Sequence, residues 1–466
     1  DIGLHVAKVL WGILQICHAE LDSASKNKVL KQVQDDEIGK KIEFLGKAYV
    51  LGVNKYDEDE CAKEEIQQIN NQLYQRDSKI VPLWKKTRQW SLDYFDLIYK
   101  KLGVNFNQFV FESEVEKEGE QIVRDNIGKF FEHDQGAIIF PGEKYGLHNR
   151  VFITSEDNPT YEAKDLGRAR AERESFAFDL AIHVVAVDQS GYFQVMFKAL
   201  EMVDPDLVGK NQHLAYGMVN LSSGKMASRT GEIVTFDWLY EEVKKRVNKL
   251  MNINRHPGSH GVADEQALSF GDRIYKKKDS IASPASGVAS LQNDKIVDED
   301  EKEQVIDQVS LGAIKFSMLK FSPQTDITFD IDKSVSLSGD SGPYIQYTYA
   351  RAKSVLRNAE YDYDVDLPHS DKHPSRVEHD LEKEERLILQ KIEHFQSIIS
   401  DAAESLHPNV IATYLLELSS LFNLFYQKHQ IIKGENSDFR LALTCSVAVI
   451  LKQGLYLLGI ESPERM

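Results

Sequence analysis

The stretch 222–231, SSGKMASRTG, carries Lys225 and Arg229 between Gly224 and Gly231. Residues 207–231 add Lys210 and hold no acid, within a 466-residue chain whose formal net charge is −17. Glycines let a loop wrap a ligand and a local excess of cations attracts an anion, so the stretch reads as a phosphate-handling loop. It is not a P-loop, which needs glycine, four residues and then Gly-Lys-Ser/Thr. The glycine before Gly224 is Gly217, two positions too far back, and Met226 stands where the magnesium-binding hydroxyl belongs. A His-Arg-Asp catalytic loop of the protein-kinase kind is also missing. On these residues alone, a plain basic surface turn stays open.

Two further sets could do chemistry. DLAIHVVAVDQ (179–189) is a short apolar, β-branched run that reads as a buried parallel strand. Ligands bind at the carboxyl ends of such strands, which singles out Asp188, Gln189 and Ser190; an ordinary polar strand exit is the competing reading. Residues 341–359 carry Arg351, Lys353 and Arg357 without an acid, interleaved with Tyr344, Tyr347 and Tyr349. That mixture suits phosphate contacts and base stacking, or else a helix whose tyrosines face the core and whose cations are solvated.

The elements that must position these residues fall into three regimes. Helical spacing covers 6–17 and, with many charges and Trp84 and Trp90, 56–101. AIIFPG (137–142) and RVFITSEDNPTY (150–161) read as strands closed by turns, and their alternation with helical segments predicts an α/β sheet. From 252 to 300 periodicity fails; HPGSHG, DSIASPASG and the acidic run DEDEKE (298–303) read as a surface loop or mobile insertion. Beyond Gln304 the pattern is helical. Ile388, Ile392, Phe395 and Ile399 share one face, Tyr414, Leu418, Leu421 and Phe425 another, and Leu443, Val447, Ile450 and Leu458 continue a predicted bundle.

Composition bounds the partners. With 42% hydrophobic and 28% charged residues the chain is globular, and its length predicts two or three domains. The acidic balance argues against general coating of nucleic acid or of an anionic membrane, though not against a local basic surface. Cys17, Cys61 and Cys445 lie far apart, which supports neither a zinc site nor a disulfide framework and fits a reducing cytoplasm. No run of about 18 apolar residues occurs. The start Asp1-Ile2-Gly3 has neither a basic n-region nor an initiator methionine, so a chain cut from something longer is expected.

HLAYGMVNLSSGKMASRTGEIVTF (213–236) resembles the Lys-Met-Ser-Lys-Ser signature loop of class I aminoacyl-tRNA synthetases, in the form found in arginyl-tRNA synthetases. Four more blocks agree in order. PTYEAKDLG (159–167) resembles the arginine-pocket segment Tyr-x-x-x-Asp-hydrophobic-Gly, and VDQSGYFQVMF (187–197) the strand exit and helix that follow it. SLSGDSGPYIQYTYARAKSVLR (336–357) resembles the Gly-Pro-Tyr-hydrophobic-Gln-Tyr-x-x-Ala-Arg block, and SSLFNLFYQKHQII with RLALTCSVAVILKQGLYLLGIESPERM the C-terminal anticodon-binding helices.

The resemblance implies a Rossmann-like α/β catalytic domain, incomplete at its N-terminus, followed by an all-α helix bundle that binds the anticodon. The boundaries read as 1–251 for the catalytic domain with a helical insertion near 56–101, 252–303 for the loop, 304–340 for a connecting helical segment, and 341–466 for the bundle. It implies ATP with Mg²⁺ as substrate complex, L-arginine and tRNA(Arg) as partners, no resident metal, and a cytoplasmic monomer. Asp165 would supply charge to the substrate guanidinium, whose donor fork suits carboxylate and amide oxygens, with Tyr161 and Gln189 framing it; simple pairing of Asp165 with Arg168 or Arg170 stays open. Lys225 and Arg229 would act on the ATP phosphates as charge builds in transit, with Met226 and Ser228 between them. Ser228 stands at the second lysine of the general pattern, which leaves open which cation takes the transition-state role. Tyr216 and Met218 would pack the adenine side, core packing being equally open. Tyr344, Gln346, Tyr347, Arg351, Asn423 and Tyr426 would meet tRNA.

One departure stands out. Class I synthetases carry a His-x-Gly-His motif upstream of the amino-acid pocket, and nothing before Tyr161 matches it. RHPGSHG (255–261) has the wrong spacing and the wrong place. Three readings follow: an arginine–tRNA ligase of which this chain is the larger part and which by itself does not activate arginine; a non-catalytic tRNA- or arginine-binding fragment, or another class I synthetase; and an unrelated nucleotide-binding protein.

Overall fold

The computed structural model describes residues 1–19, 37–222, 235–253, 298–361 and 380–466. By backbone proximity these form two compact units, one ending at Met218 and one resuming at Val219 and running to Met466. The helix Phe236–Ile253 packs within the second unit.

The first unit opens with helices α1 (Leu4–Ala19), α2 (Ile38–Glu58), α3 (Glu60–Tyr74), α4 (Val81–Leu102) and α5 (Glu112–Asp125). Local chemistry sets their ends. Asp59 caps α3 by accepting the amides of Cys61 and Ala62, at 2.9 and 3.3 Å. Pro82 sits in the first turn of α4, and Gly103, at φ 65°, ends it in the left-handed region that only glycine enters freely. Leu10, Ile13, Ile66, Leu73 and Trp84 bury the apolar faces of α1, α3 and α4 in one core.

Three short strands follow: β1 (Glu132–Asp134), β2 (Ala137–Phe140) and β3 (Arg150–Ile153), in that order and antiparallel. The two strands read from AIIF and RVFI are thus present, but as an antiparallel layer. Phe131, Phe140 and Phe152 pack from it against α5, α6 (Tyr161–Ser175) and α7 (Ser190–Val203) through Val123, Leu166, Phe193 and Met196.

The parallel pair is β4 (Ala181–Ala186) with β5 (Asn211–Tyr216), in register from Ala181 opposite Asn211 to Ala186 opposite Tyr216. A parallel strand at this place matches the sequence reading; its burial does not. Ile182 and Val184 are 40% and 60% exposed, because a run apolar on both faces shows that a strand can be covered on both sides, not that it is.

In the second unit β6 (Val219–Leu221) pairs in parallel with β7 (Ile327–Phe329), and α8 (Phe236–Ile253) packs on α9 (Glu299–Leu319). Tyr240 on α8 donates to Asp307 of α9, and Lys244 pairs with Glu303 and Asp307. The acidic run DEDEKE is therefore not loop. Asp298 caps α9 by accepting the Asp300 amide, and Glu299, Asp300 and Glu301 fill its first turn, where negative charge meets the positive end of the helix dipole. The rest of the 252–303 reading, RHPGSHG and DSIASPASG included, falls on residues 254–297, outside the described residues.

After a short helix, α10 (Ile331–Ser334), that packs beside α8 and α9, the C-terminal bundle comprises α11 (Gly342–Asn358), α12 (Lys383–Glu393), α13 (Phe395–Ser405), α14 (Asn409–Lys428) and α15 (Ser437–Leu457). Ile388, Phe395, Tyr414, Leu418, Phe425, Leu443, Val447 and Leu458 all lie in its core. The face read through Ile388, Ile392, Phe395 and Ile399 is interrupted: His394 ends α12 and begins α13. Among the described residues, α15 alone is long and apolar enough to cross a bilayer. It carries Arg440 and Lys452, and Val447, Ala448 and Leu451 have no exposed surface, so here it is a core helix.

Candidate active site

Tyr161 opens α6, and Asp165 follows one turn later on the same flank. The Asp165 side chain is 23% exposed and both its oxygens are engaged. Oδ1 accepts from Nε of Arg168 at 3.0 Å, and Oδ2 accepts from the Tyr192 hydroxyl at 2.5 Å. Arg170 is elsewhere, with Nε on Glu118 and Glu174. Arg168 also donates Nη1 to Glu172 at 2.6 Å. Burial works against its charge, and the Asp165 and Glu172 carboxylates together outweigh burial, so the guanidinium pKa is raised. Burial, and then the adjoining Asp165 carboxylate, push the Tyr192 phenol far above its ordinary value, so it acts as a donor.

Tyr192 lies in the first turn of α7, whose N-cap residue is Gln189. The Tyr192–Asp165 hydrogen bond therefore ties the start of α7 to α6. Gln189 itself is exposed at the carboxyl end of β4, as are Asp188 and, at the end of the neighbouring β5, Tyr216. Tyr216 and Met218 are 44% and 51% exposed, so neither is a core side chain. This end of the parallel pair is where α/β sheets take ligands.

Behind Tyr161 stands a buried charge. Lys164 is 3% exposed, and its Nζ lies 5.1 Å from the Tyr161 ring centre and 5.4 Å from that of Tyr74. It donates to Glu112 at 3.2 Å and to the Ile2 carbonyl at 3.4 Å. Burial opposes its charge, but Tyr74 and Glu112 overcome that and its pKa is raised. Lys225, Met226, Ser228 and Arg229 lie outside the described residues.

In the second unit, Ser341 caps α11 by accepting the Tyr344 amide at 3.1 Å, and Pro343 fits its first turn. One face of α11 meets α14. The Arg351 guanidinium lies 4.7 Å from the Tyr347 ring centre and 5.1 Å from that of Tyr426, and it donates to Asn423. Asn423 in turn donates to Tyr344 at 3.1 Å and to Thr348 at 2.9 Å. Five of the six residues read as tRNA contacts are thus brought together. The sixth is a correction: Gln346 has no exposed surface and donates to the carbonyls of Gln308 and Glu461, so it serves the core. Tyr349 is likewise buried, while Lys353 and Arg357 hold Glu464 of the C-terminal tail. Beside this cluster an open groove of about 980 Å³ is lined by Gln390, Lys391, His394, Thr413 and Ser420.

Residues 27–268 match the family model described as tRNA synthetases class I (R), catalytic domain, and residues 345–466 match the DALR anticodon binding domain. An arginine–tRNA ligase of Porphyromonas gingivalis is 30% identical over 490 residues, covering 100% of this chain and 73% of that protein. The chain belongs to the arginyl-tRNA synthetase family. One from Flavobacterium psychrophilum is likewise 30% identical, over 100% of this chain and 72% of its own length. The fold agrees: Thermus thermophilus arginyl-tRNA synthetase superposes with a TM-score of 0.68 at 22% identity, over 99% of this chain and 74% of that one. The Plasmodium falciparum arginyl-tRNA synthetase gives 0.63 at 17% identity, over 89% and 66%. The family's class I catalytic domain and helical anticodon-binding domain are those read from the sequence.

Sequence reasoning missed Tyr192 and left Arg168 as an alternative partner only. Tyr192 stood inside the block VDQSGYFQVMF. Its place in a first helical turn marks it as a residue facing a neighbour, but nothing local names Asp165, 27 positions away, as that neighbour.

Proposed function

We propose that the chain carries the arginine pocket, the ATP loop and the tRNA surface of an arginine–tRNA ligase. In that reaction the arginine carboxylate attacks the α-phosphate of ATP, pyrophosphate leaves, and the arginyl group passes from the adenylate to tRNA(Arg). The observation that carries the pocket is the Asp165 carboxylate, partly exposed on α6 and steadied from two sides beside the α7 N-terminus. Each oxygen keeps a second lone pair for the donor fork of a substrate guanidinium. Tyr161 and Gln189 frame the side chain from the start of α6 and the exit of β4. Lysine offers one compact ammonium and leaves acceptors unpaired, which favours arginine.

Lys225 and Arg229 act on the phosphates, with Met226 and Ser228 in the loop between them and Tyr216 and Met218 toward the adenine; Mg²⁺ enters with ATP. The support is the acid-free setting of that loop and the exposure of Tyr216 and Met218 at the pocket end of the sheet. For tRNA, Tyr344, Tyr347, Arg351 and Tyr426 offer ring faces and a cation to unstacked loop bases, while Asn423, buried and bonded to Arg351, Tyr344 and Thr348, holds them in place. A cytoplasmic monomer that binds neither DNA nor membrane goes with this reading. The test is direct binding of L-arginine against L-lysine, with Asp165→Ala as control. Arginine is expected to bind at least tenfold tighter than lysine and to lose that margin in the variant. Equal affinities in the unaltered chain would remove the pocket.

A further inference from the structure

We infer that Tyr192 is a positioning residue of this pocket: its hydroxyl keeps the Asp165 carboxylate from closing onto the neighbouring Arg168, so that it stays available to a substrate guanidinium. The inference rests on the proposed role of Asp165 as guanidinium acceptor.

The chain places a guanidinium of its own on that acceptor. Arg168 is one turn beyond Asp165 on α6, and a carboxylate and a guanidinium so placed form their strongest pair when both oxygens face the donor fork. That pair does not form here. Arg168 gives Asp165 only Nε, at 3.0 Å, and spends Nη1 on Glu172 at 2.6 Å. The second Asp165 oxygen is turned away, toward the Tyr192 hydroxyl at 2.5 Å.

Tyr192 can hold it there because its own ring is fixed. It is buried, it meets Phe193 edge to face at 5.1 Å, and the Arg150 guanidinium lies 5.4 Å from its centre. Arg150 is in turn paired with Glu162, and Glu172 balances the charge of Arg168, so the local excess is the single negative charge of Asp165. Without the hydroxyl, Oδ2 would lose its donor in a partly buried site, and rotation into the Arg168 fork would satisfy it. The internal arginine would then compete with the substrate for the same acceptor.

The experiment measures L-arginine and L-lysine binding by calorimetry on the full 466-residue chain and on Tyr192→Phe, Arg168→Met, the double variant and Asp165→Ala, with a thermal melt of each. Tyr192→Phe is expected to weaken arginine binding roughly tenfold and to reduce the preference over lysine, and adding Arg168→Met to restore most of both. A merely structural role predicts no such rescue, since a packing defect carries over unchanged into the double variant. Unaltered arginine binding in Tyr192→Phe, or a loss that Arg168→Met does not relieve, overturns the inference. Indifference of the unaltered chain to arginine over lysine, or of Asp165→Ala to arginine, removes the pocket reading itself and the inference with it.

Discussion

Gly119 on α5 and Gly167 on α6 lie where the two helices cross backbone to backbone. A methyl group on Gly119 would come within 1.9 Å of the Ala163 carbonyl oxygen, and one on Gly167 within 2.3 Å of that of Val115. Gly167 closes the Tyr-x-x-x-Asp-hydrophobic-Gly segment, so the glycine there serves helix packing two residues beyond Asp165. The close crossing holds α6, and with it Tyr161 and Asp165, against α5.

Gly167→Ala should therefore push α6 away from α5. The atoms in the way are backbone, which cannot rotate aside, so a loss on the order of 1–3 kcal/mol is expected, together with weakened arginine binding. Urea denaturation and calorimetry on the same sample check both; a variant as stable as the parent would contradict the crossing.

The 466-residue chain assayed alone should show no arginine-dependent exchange between pyrophosphate and ATP, with or without tRNA. In the proposed reading the loop at 222–231 supplies cations for the phosphates, and within these 466 residues no His-x-Gly-His segment precedes the pocket to face them. Robust exchange would show that other groups take the histidines' place.

Arg351→Ala should weaken tRNA(Arg) binding at least tenfold while leaving arginine binding unchanged. The guanidinium is shared between the Tyr347 and Tyr426 rings and is bonded to Asn423, so its loss releases three other side chains as well as a charge. Filter binding at two salt concentrations tests this. A salt slope reduced by about one, with no other change, would mean that Arg351 meets only a phosphate.

Glu384 on α12 gives the bundle a pH dependence. The Lys428 ammonium at 2.6 Å, and then His429 at 3.1 Å, hold its carboxyl down to about 2. A carboxylate whose folded pKa lies below its unfolded value stabilises the fold above the unfolded value and loses that contribution as pH falls to the folded one. The advantage of the parent over Glu384→Gln in urea midpoint should be complete above about pH 5 and gone near about pH 2. An advantage that persists undiminished at the acid end would rule out the ion pair as its source.

Much of this was legible in the residues. The stripe Tyr414, Leu418, Leu421, Phe425 is a core face of α14 because helical period alone decides which side chains line up. The acidic run at 298–303 was misread as loop because charge looks like solvent exposure, whereas at a helix start the dipole favours it. Gln346 was misread because its block mixes residues that face α14 with residues that face the core, and a polar type does not say which.

The sequence by itself determined the family, the helical character of the C-terminal bundle, and the side-chain types on which the proposed arginine pocket draws: Tyr161 and Asp165 one turn apart and Gln189 at a strand exit. Only the tertiary structure decided that the Asp165 carboxylate lies between Arg168 and Tyr192, that Gly167 is there for a helix crossing, and that Gln346 is buried. Periodicity and capping act over a few residues and are written in their order. Which distant polar group reaches a given side chain depends on how whole helices pack, and no local pattern carries that.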